Sequence, residues 1–164
     1  MIETMTIFDP VEAPLDAWSC VNDGVMGGVS QSEAEIDEHH YLKWHGEVSL
    51  ERNGGFASVR HQFFGLDLYA YTGLCLLIIG DGKTYKLNLA NHLTSGSPRF
   101  QARFKTYDTC HLVYVPFSSL NASVRGTPVS AAFDPAQLRM LGFLIADKQA
   151  GPFHLTVQRI SAYV

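Results

Sequence analysis

Two groups of side chains in this sequence have the types and spacing to hold a polar molecule. The first is basic and amide-rich. Arg103 and Lys105 alternate with Phe100, Ala102 and Phe104; Lys86 and Asn88 alternate with Tyr85, Leu87 and Leu89; Ser58, Arg60 and Gln62 alternate with Ala57, Val59 and His61. In strands, this parity sends Arg60, Lys86 and Arg103, with Asn88 and Gln101, to one outer face. A guanidinium on that face is a planar fork that holds a carboxylate or phosphate through two parallel hydrogen bonds. The second group is the run Asn22-Asp23-Gly24-Val25-Met26-Gly27-Gly28-Val29-Ser30. Its glycines permit a tight turn or close approach of other atoms to the backbone, while Asn22, Asp23 and Ser30 supply donors and acceptors. At least one of Gly27 and Gly28 is expected at positive φ, or packed where a Cβ would collide. The expected site is polar and draws on Asn22, Asp23, Met26, Gly27, Gly28, Ser30, Arg60 and Arg103.

Bond-breaking chemistry is less well supplied. Nucleophilic catalysis needs a nucleophile beside an oriented base, and the sequence has no Gly-x-Ser-x-Gly elbow and no spacing that marks a triad. No catalytic residue is assigned. The run at Met26-Gly27-Gly28 is not a phosphate loop, because no Lys-Ser/Thr pair follows at a helix start. The histidines are scattered apart from His39-His40, which follows Asp37-Glu38 in a polar stretch and reads as a solvated loop. No metal and no cofactor are therefore predicted. No aromatic residues interleave with the basic ones, which speaks against nucleic acid; so does the net charge of −4.

The elements that must position these groups are strands. The chain has 164 residues, 46% of them apolar and 17% charged, so it folds without a staple and is expected to form a single domain over 1–164. The dominant period is two. Leu42, Trp44, Val48 and Leu50 share one parity; Phe153, Leu155 and Val157 share another. Gly80-Asp81-Gly82 and Asn53-Gly54-Gly55 read as hairpin turns. One or two helical turns are expected at Asp134-Pro135-Ala136-Gln137-Leu138, with Asp134 as cap and Pro135 at the first position. The fold class is all-β, a two-sheet sandwich. The three cysteines, Cys20, Cys75 and Cys110, are odd in number and widely spaced, so none is expected in a disulfide. The longest apolar run, Leu74 to Ile79, is too short to cross a bilayer, and the N-terminus lacks a basic segment leading into an apolar one. A cytoplasmic setting is expected, with no membrane insertion.

Five separated signatures stand in order along the chain. They are Asn22 to Ser30; Gly54-Gly55-Phe56-Ala57-Ser58-Val59-Arg60; Gly80-Asp81-Gly82-Lys83-Thr84-Tyr85; Val115-Pro116-Phe117 with Arg125-Gly126; and Asp147-Lys148-Gln149-Ala150-Gly151-Pro152-Phe153. The ordered set resembles the complex I intermediate-associated protein 30 family, over roughly Trp18 to Ile160. The resemblance implies a galactose-binding-like jelly roll. It also implies an assembly role, with respiratory-complex subunits among the partners. It adds Asp81, Tyr85 and Gln149 to the candidate site, as residues of family-like motifs expected near the same region. Two positions depart from the pattern: Cys110-His111 stands where relatives carry Trp, and Thr127 where they carry a basic residue.

Three functions compete on this reading. The leading one is a binding or assembly module for a protein partner or a polar ligand. The second is a carbohydrate-type binding domain, against which Trp18 and Trp44 both read as core residues. The third is an enzyme on a small polar substrate with Asp23, Asp81 or Asp147 as acid/base group, which a raised carboxylate pKa in a closed pocket would mark.

Overall fold

The computed structural model describes residues 4–8, 18–22, 28, 30–39, 41–51 and 55–164. Strands β1 (Thr4–Phe8), β3 (Gln31–Ile36), β4 (Leu42–Val48), β6 (Gly73–Ile79), β9 (His111–Pro116) and β13 (Gly151–Tyr163) make a six-stranded antiparallel sheet. Strands β2 (Trp18–Asn22), β5 (Ala57–Leu66), β7 (Thr84–Ala90), β8 (Arg99–Lys105), β10 (Asn121–Val124), β11 (Thr127–Pro128) and β12 (Leu138–Ile145) make a seven-stranded one. The first sheet runs β3-β4-β13-β6-β9, with β1 paired to the far end of β13; the second runs β11-β10-β8-β7-β12-β5-β2. The two sheets enclose one apolar core, as the period-two pattern requires.

Parity sorts the side chains as expected. Leu42, Trp44, Tyr85, Leu87, Leu89, Leu155 and Val157 are fully buried, and Phe100, Phe104 and Phe153 nearly so. Trp18 and Trp44 are both core residues. Trp44 meets Phe153 and Tyr85 edge-on, with ring centroids 4.8 and 6.0 Å away; such pairs add about 0.5–1.5 kcal/mol beyond burial itself. Leu50, expected inward, lies past the end of β4 and is 44% exposed. Among the described residues helix is confined to short 3-10 turns such as Phe117–Ser119 and Pro135–Gln137. At the second, the Asp134 side chain accepts from the Ala136 N–H and Pro135 opens the turn. No helix is long and apolar enough to cross a membrane among the described residues. The three cysteines stand free.

Two connections depart from the sequence reading. Gly80-Asp81-Gly82 is not a hairpin turn: β6 belongs to the six-stranded sheet and β7 to the seven-stranded one, so the chain crosses the sandwich here. Likewise β4 and β5 lie in different sheets, so the segment between them is a crossover rather than a hairpin, although residues 52–54 lie outside the described ones. Turn chemistry reports that the chain reverses. It does not report which sheet receives the next strand.

The crossover at Gly80 closes an edge. Beyond Ile79, which pairs with Thr156, β6 has left β13, so the first residues of β13 lose their neighbour on that side. Side chains take its place. Asp81 Oδ2 accepts from the His154 N–H at 3.0 Å, the Tyr85 hydroxyl lies 3.0 Å from the His154 carbonyl, and the Lys83 ammonium donates to the Pro152 carbonyl. An open strand edge is thereby satisfied without another strand.

His61 gives the fold a pH dependence. It faces inward from β5, 5.3 Å from the Trp18 ring and 4.6 Å from Phe63, and its buried Nδ1 has no hydrogen-bond partner among the described residues. Burial holds its pKa below the ordinary value near 6.5. As pH falls through that value the unfolded chain takes a proton that the folded one resists, so stability falls with it until the folded pKa is reached. Thermal melts between pH 8 and pH 5 are expected to show this decline, and His61→Phe is expected to flatten it. An equal slope in the variant would assign the dependence elsewhere. The Asp147 carboxylate, held below its ordinary range, loses its contribution only in a more acidic window.

Candidate binding groove

The outer face of the seven-stranded sheet carries the basic and amide side chains that parity assigned to it. The registers align them in a row across five strands: Asn121, Gln101, Asn88, Gly142 and Arg60, with Ser19 of β2 beyond. A groove of about 370 Å³ lies over this row, lined among others by Ser58, Arg60, Asn88, Arg99, Gln101 and Arg125, with Phe56 and Leu144 as apolar wall. A second depression of about 460 Å³ adjoins it, sharing Lys86, Gln101, Ser123 and Gly126 and reaching Arg103. Both volumes fall in the range of ligand sites.

Gly142 is the low point of the row. A Cβ there would lie 2.4 Å from the Val59 carbonyl oxygen and 3.2 Å from the Arg60 Cα, so β12 and β5 approach too closely for any side chain. Ala90, on the same face of β7, carries only a methyl group. Between them these residues leave room for two long side chains to converge from the flanking strands, Arg60 from β5 and Arg99 from β8.

The cations of this face are in different states. Arg103 is engaged: its Nε and Nη2 bond the two oxygens of Asp147 at 3.0 and 3.1 Å, and Lys86 Nζ lies 3.5 Å from the same carboxylate. The hydrogen bond from Arg103, helped by Lys86, holds the Asp147 carboxyl below its ordinary range. That is the reverse of what a proton-donating acid at neutral pH needs. Arg60 is not engaged in this way: its Nε is buried with no hydrogen-bond partner among the described residues. Arg99 is anchored through Nη1, which donates to Ser97 Oγ at 3.1 Å and to the His92 carbonyl at 3.3 Å. Burial lowers the pKa of both guanidiniums, and the charge of Arg60 lowers that of Arg99 further. Among the described residues no carboxylate lines the groove around them.

Of the other predicted residues, Asp81, Tyr85, Gln149 and Ser30 are not among those that line this groove. Asp81 and Tyr85 sit at the Gly80 crossover, where the Tyr85 hydroxyl donates to Asp81 Oδ2 and the carboxylate also accepts from the Lys83 N–H. Tyr85 is wholly buried, and burial together with the Asp81 charge pushes its pKa far up. Gln149 stitches the 146–150 loop to β7: its Oε1 accepts from the Thr84 N–H, and its Nε2 donates to the carbonyls of Thr84 and Ala146. Ser30 is buried at the start of β3 and bridges to Ser49 at the end of β4, across the sandwich from Arg60. Asn22 ends β2 opposite Ala57, next to the groove residue Phe56. Asp23, Met26 and Gly27 lie outside the described residues, so the backbone expected at Gly27 and Gly28 falls on a loop that is described only in part. Arg99 was missed although it has the parity of Gln101 and Arg103; it begins its strand one residue before the first aromatic of the pattern.

A family model matches residues 8–157, and its description is complex I intermediate-associated protein 30. The chain belongs to that family. No curated protein sequence matches it. As a complex I intermediate-associated protein 30 domain it has close structural likenesses at low identity. A family 11 carbohydrate-binding module of a cellulosomal cellulase of Clostridium thermocellum superposes with TM-score 0.75 and 13% identity, over 99% of this chain and 95% of that one. A family 30 carbohydrate-binding module of another cellulosomal cellulase of Clostridium thermocellum gives 0.65 and 13%, over 98% and 96%. An agarase gives 0.65 and 13%, over 97% of this chain but 24% of the enzyme. At such identities the likeness concerns the fold, a β-sandwich jelly roll. Within this member of the complex I intermediate-associated protein 30 family, the motif residues Asp81, Tyr85 and Gln149 hold one corner of the fold together, and the motif residues Arg60 and Arg125 line the groove.

Proposed function

We propose that the chain is a non-enzymatic binding and assembly module, and that the outer face of its seven-stranded sheet holds a protein partner or a polar ligand. The observation that carries this reading is Arg60, a half-buried guanidinium that lines a groove with amides on its floor and whose Nε has no partner among the described residues. Buried donors are nearly always satisfied, so such an exception calls for an explanation. An anionic ligand group against the part of this guanidinium that lines the groove would supply the counter-charge that none of the described lining residues carries. The Arg103–Asp147 pair gives the neighbouring wall a fixed shape. The family description, with its complex I intermediates, favours a protein partner. A carbohydrate-type ligand is the second reading. It is favoured by the neutral hydrogen-bonding row of Asn121, Gln101 and Asn88 and by the likeness to modules, one of them solved with a mixed-linked tetrasaccharide.

The test is to map binding on the molecule. The isotope-labelled chain is titrated with the protein and the glycan fractions of the source cell while backbone amide resonances are followed. Shifts gathered on Ser58, Asn88, Gln101 and their neighbours are expected from at least one fraction. Shifts confined to the six-stranded sheet, or none from either fraction, would overturn the reading.

A further inference from the structure

Four features of the groove together narrow what it holds. The first is charge. Arg60 and Arg99 converge on one space, Arg125 joins the lining, and among the described residues no carboxylate lies around them. Like charges drawn together in a half-buried place need a counter-charge, and Asp147, the carboxylate on the adjoining wall, already serves Arg103 and Lys86. The second is preorganisation. Arg99 is tied back through Nη1 to Ser97 and His92, and Arg125 Nη2 donates to Ser95 Oγ at 3.1 Å, so two of the three guanidiniums are oriented before any ligand arrives. The third is the floor. Asn88 and Gln101 are paired across β7 and β8, with Gln101 Nε2 3.4 Å from Asn88 Oδ1, a long contact that leaves amide donors and acceptors for a visitor. Ser58 and Ser123 stand on either side of them. The fourth is what the walls lack. Among the described residues Phe56 is the one aromatic of the lining, so they form no broad stacking platform of the kind that holds a neutral sugar ring or a nucleobase.

An anion alone would satisfy the guanidiniums and leave the amide and hydroxyl floor idle. A neutral sugar would satisfy the floor and leave the paired charges bare. A ligand with both an anionic group and several hydroxyls meets all of it. Resting on the binding reading above, we infer that the groove takes an anionic sugar, a carboxylate- or phosphate-bearing saccharide, free or as a unit of a glycan. Its acid group is held by Arg60 and Arg99, and its hydroxyls are read by Asn88 and Gln101. No bond is made or broken.

Titration calorimetry on the whole chain tests this, with four groups of probe: a uronic acid and its short oligomers, a hexose phosphate, the matching neutral oligosaccharide, and acetate, inorganic phosphate and a polyglutamate peptide as plain anions. The uronate or the hexose phosphate is expected to bind at least tenfold more tightly than the neutral sugar and than acetate or phosphate, and less tightly as salt rises. Which of the two binds identifies carboxylate or phosphate as the acid group; whether oligomers bind more tightly than the monomer separates a glycan from a free sugar. Arg60→Met and Arg99→Met are each expected to lose tenfold or more, Asn88→Ala several-fold, and Arg159→Met, on the other sheet, nothing. Thermal melts confirm that each variant is folded. If Arg60→Met does not fold, Arg99→Met and the salt dependence decide alone. Equal affinity for the neutral sugar, or tight binding of polyglutamate without any sugar, overturns the inference and leaves the binding reading standing. Failure of every probe, in a chain whose groove resonances still respond to cell fractions, also overturns the inference alone. Failure of both experiments overturns both.

Discussion

Gly80→Ala is expected to destabilise the protein by about 3 kcal/mol or more, at the upper end for overpacked sites. For a chain of this length that lowers the melting temperature by roughly 6–12 °C. The reason is space rather than backbone angle. A Cβ at Gly80 would lie 2.1 Å from Thr106 Cβ, 2.2 Å from its Oγ1 and 2.8 Å from its Cγ2. Thr106 cannot yield: it is wholly buried, and its N–H and hydroxyl both donate to the Lys83 carbonyl, at 3.1 and 2.8 Å. Gly80 cannot yield either, because its N–H donates to the Tyr107 carbonyl at 2.7 Å. Relief requires the β6–β7 crossover and the end of β8 to part. Adding Thr106→Gly removes the colliding atoms, so the double variant is expected to recover part of the loss. A single variant melting within about 2 °C of the parent, against this expected shift, would show that the crossover opens freely and that its tightness is not a constraint.

Asp81→Ala is expected to cost a similar amount, about 3 kcal/mol, through hydrogen bonds instead of collision. The carboxylate accepts from three donors, the Lys83 N–H, the Tyr85 hydroxyl and the His154 N–H, each at 3.0 Å. Removing it leaves the buried hydroxyl with the His154 carbonyl alone and takes the acceptor from an edge N–H of β13 and from the Lys83 N–H. Tyr85→Phe removes one of the donors and is expected to cost about 1 kcal/mol, since Asp81 keeps the others. The informative quantity is the double variant. In the presence of Tyr85→Phe, the loss from Asp81→Ala should shrink by at least about 0.5 kcal/mol, because part of it is the hydrogen bond from the hydroxyl to the carboxylate. Chemical denaturation of the four proteins measures this. Strict additivity would mean that the hydroxyl relies on the His154 carbonyl and that the carboxylate holds only backbone.

Much of this arrangement is legible before any coordinates. Alternation in Leu42–Val48, Tyr85–Leu89 and Phe100–Phe104 assigns both the inner and the outer face, because a strand has no other way to divide apolar from polar side chains. The same parity places Arg60, Lys86, Asn88, Gln101 and Arg103 on one surface, where the registers align Asn88, Gln101 and Arg60. What parity cannot supply is partnership between strands far apart in sequence. Nothing local says that β5 and β8 flank β7 and β12, so nothing local brings Arg60 and Arg99 to one groove. Nor does the residue type of Arg103 say that Asp147, 44 positions away, occupies its fork. Glycine signals are ambiguous for the same reason: Gly80-Asp81-Gly82 has the composition of a hairpin and the role of a bridge between sheets.

The order of strands has a consequence for synthesis. The two strands at the heart of the sandwich, β12 between β5 and β7 and β13 between β4 and β6, emerge after the other eleven. Until they do, the seven-stranded sheet exists as the pair β2–β5 and the group β7-β8-β10-β11, and the six-stranded sheet as β3–β4 and β6–β9, with nothing to join them. A nascent chain therefore carries open, partly apolar strand edges through most of its translation. It can close only by bringing together segments distant in sequence, a slow kind of folding, commonly milliseconds to seconds. For that interval the growing polypeptide depends on its surroundings to remain unaggregated.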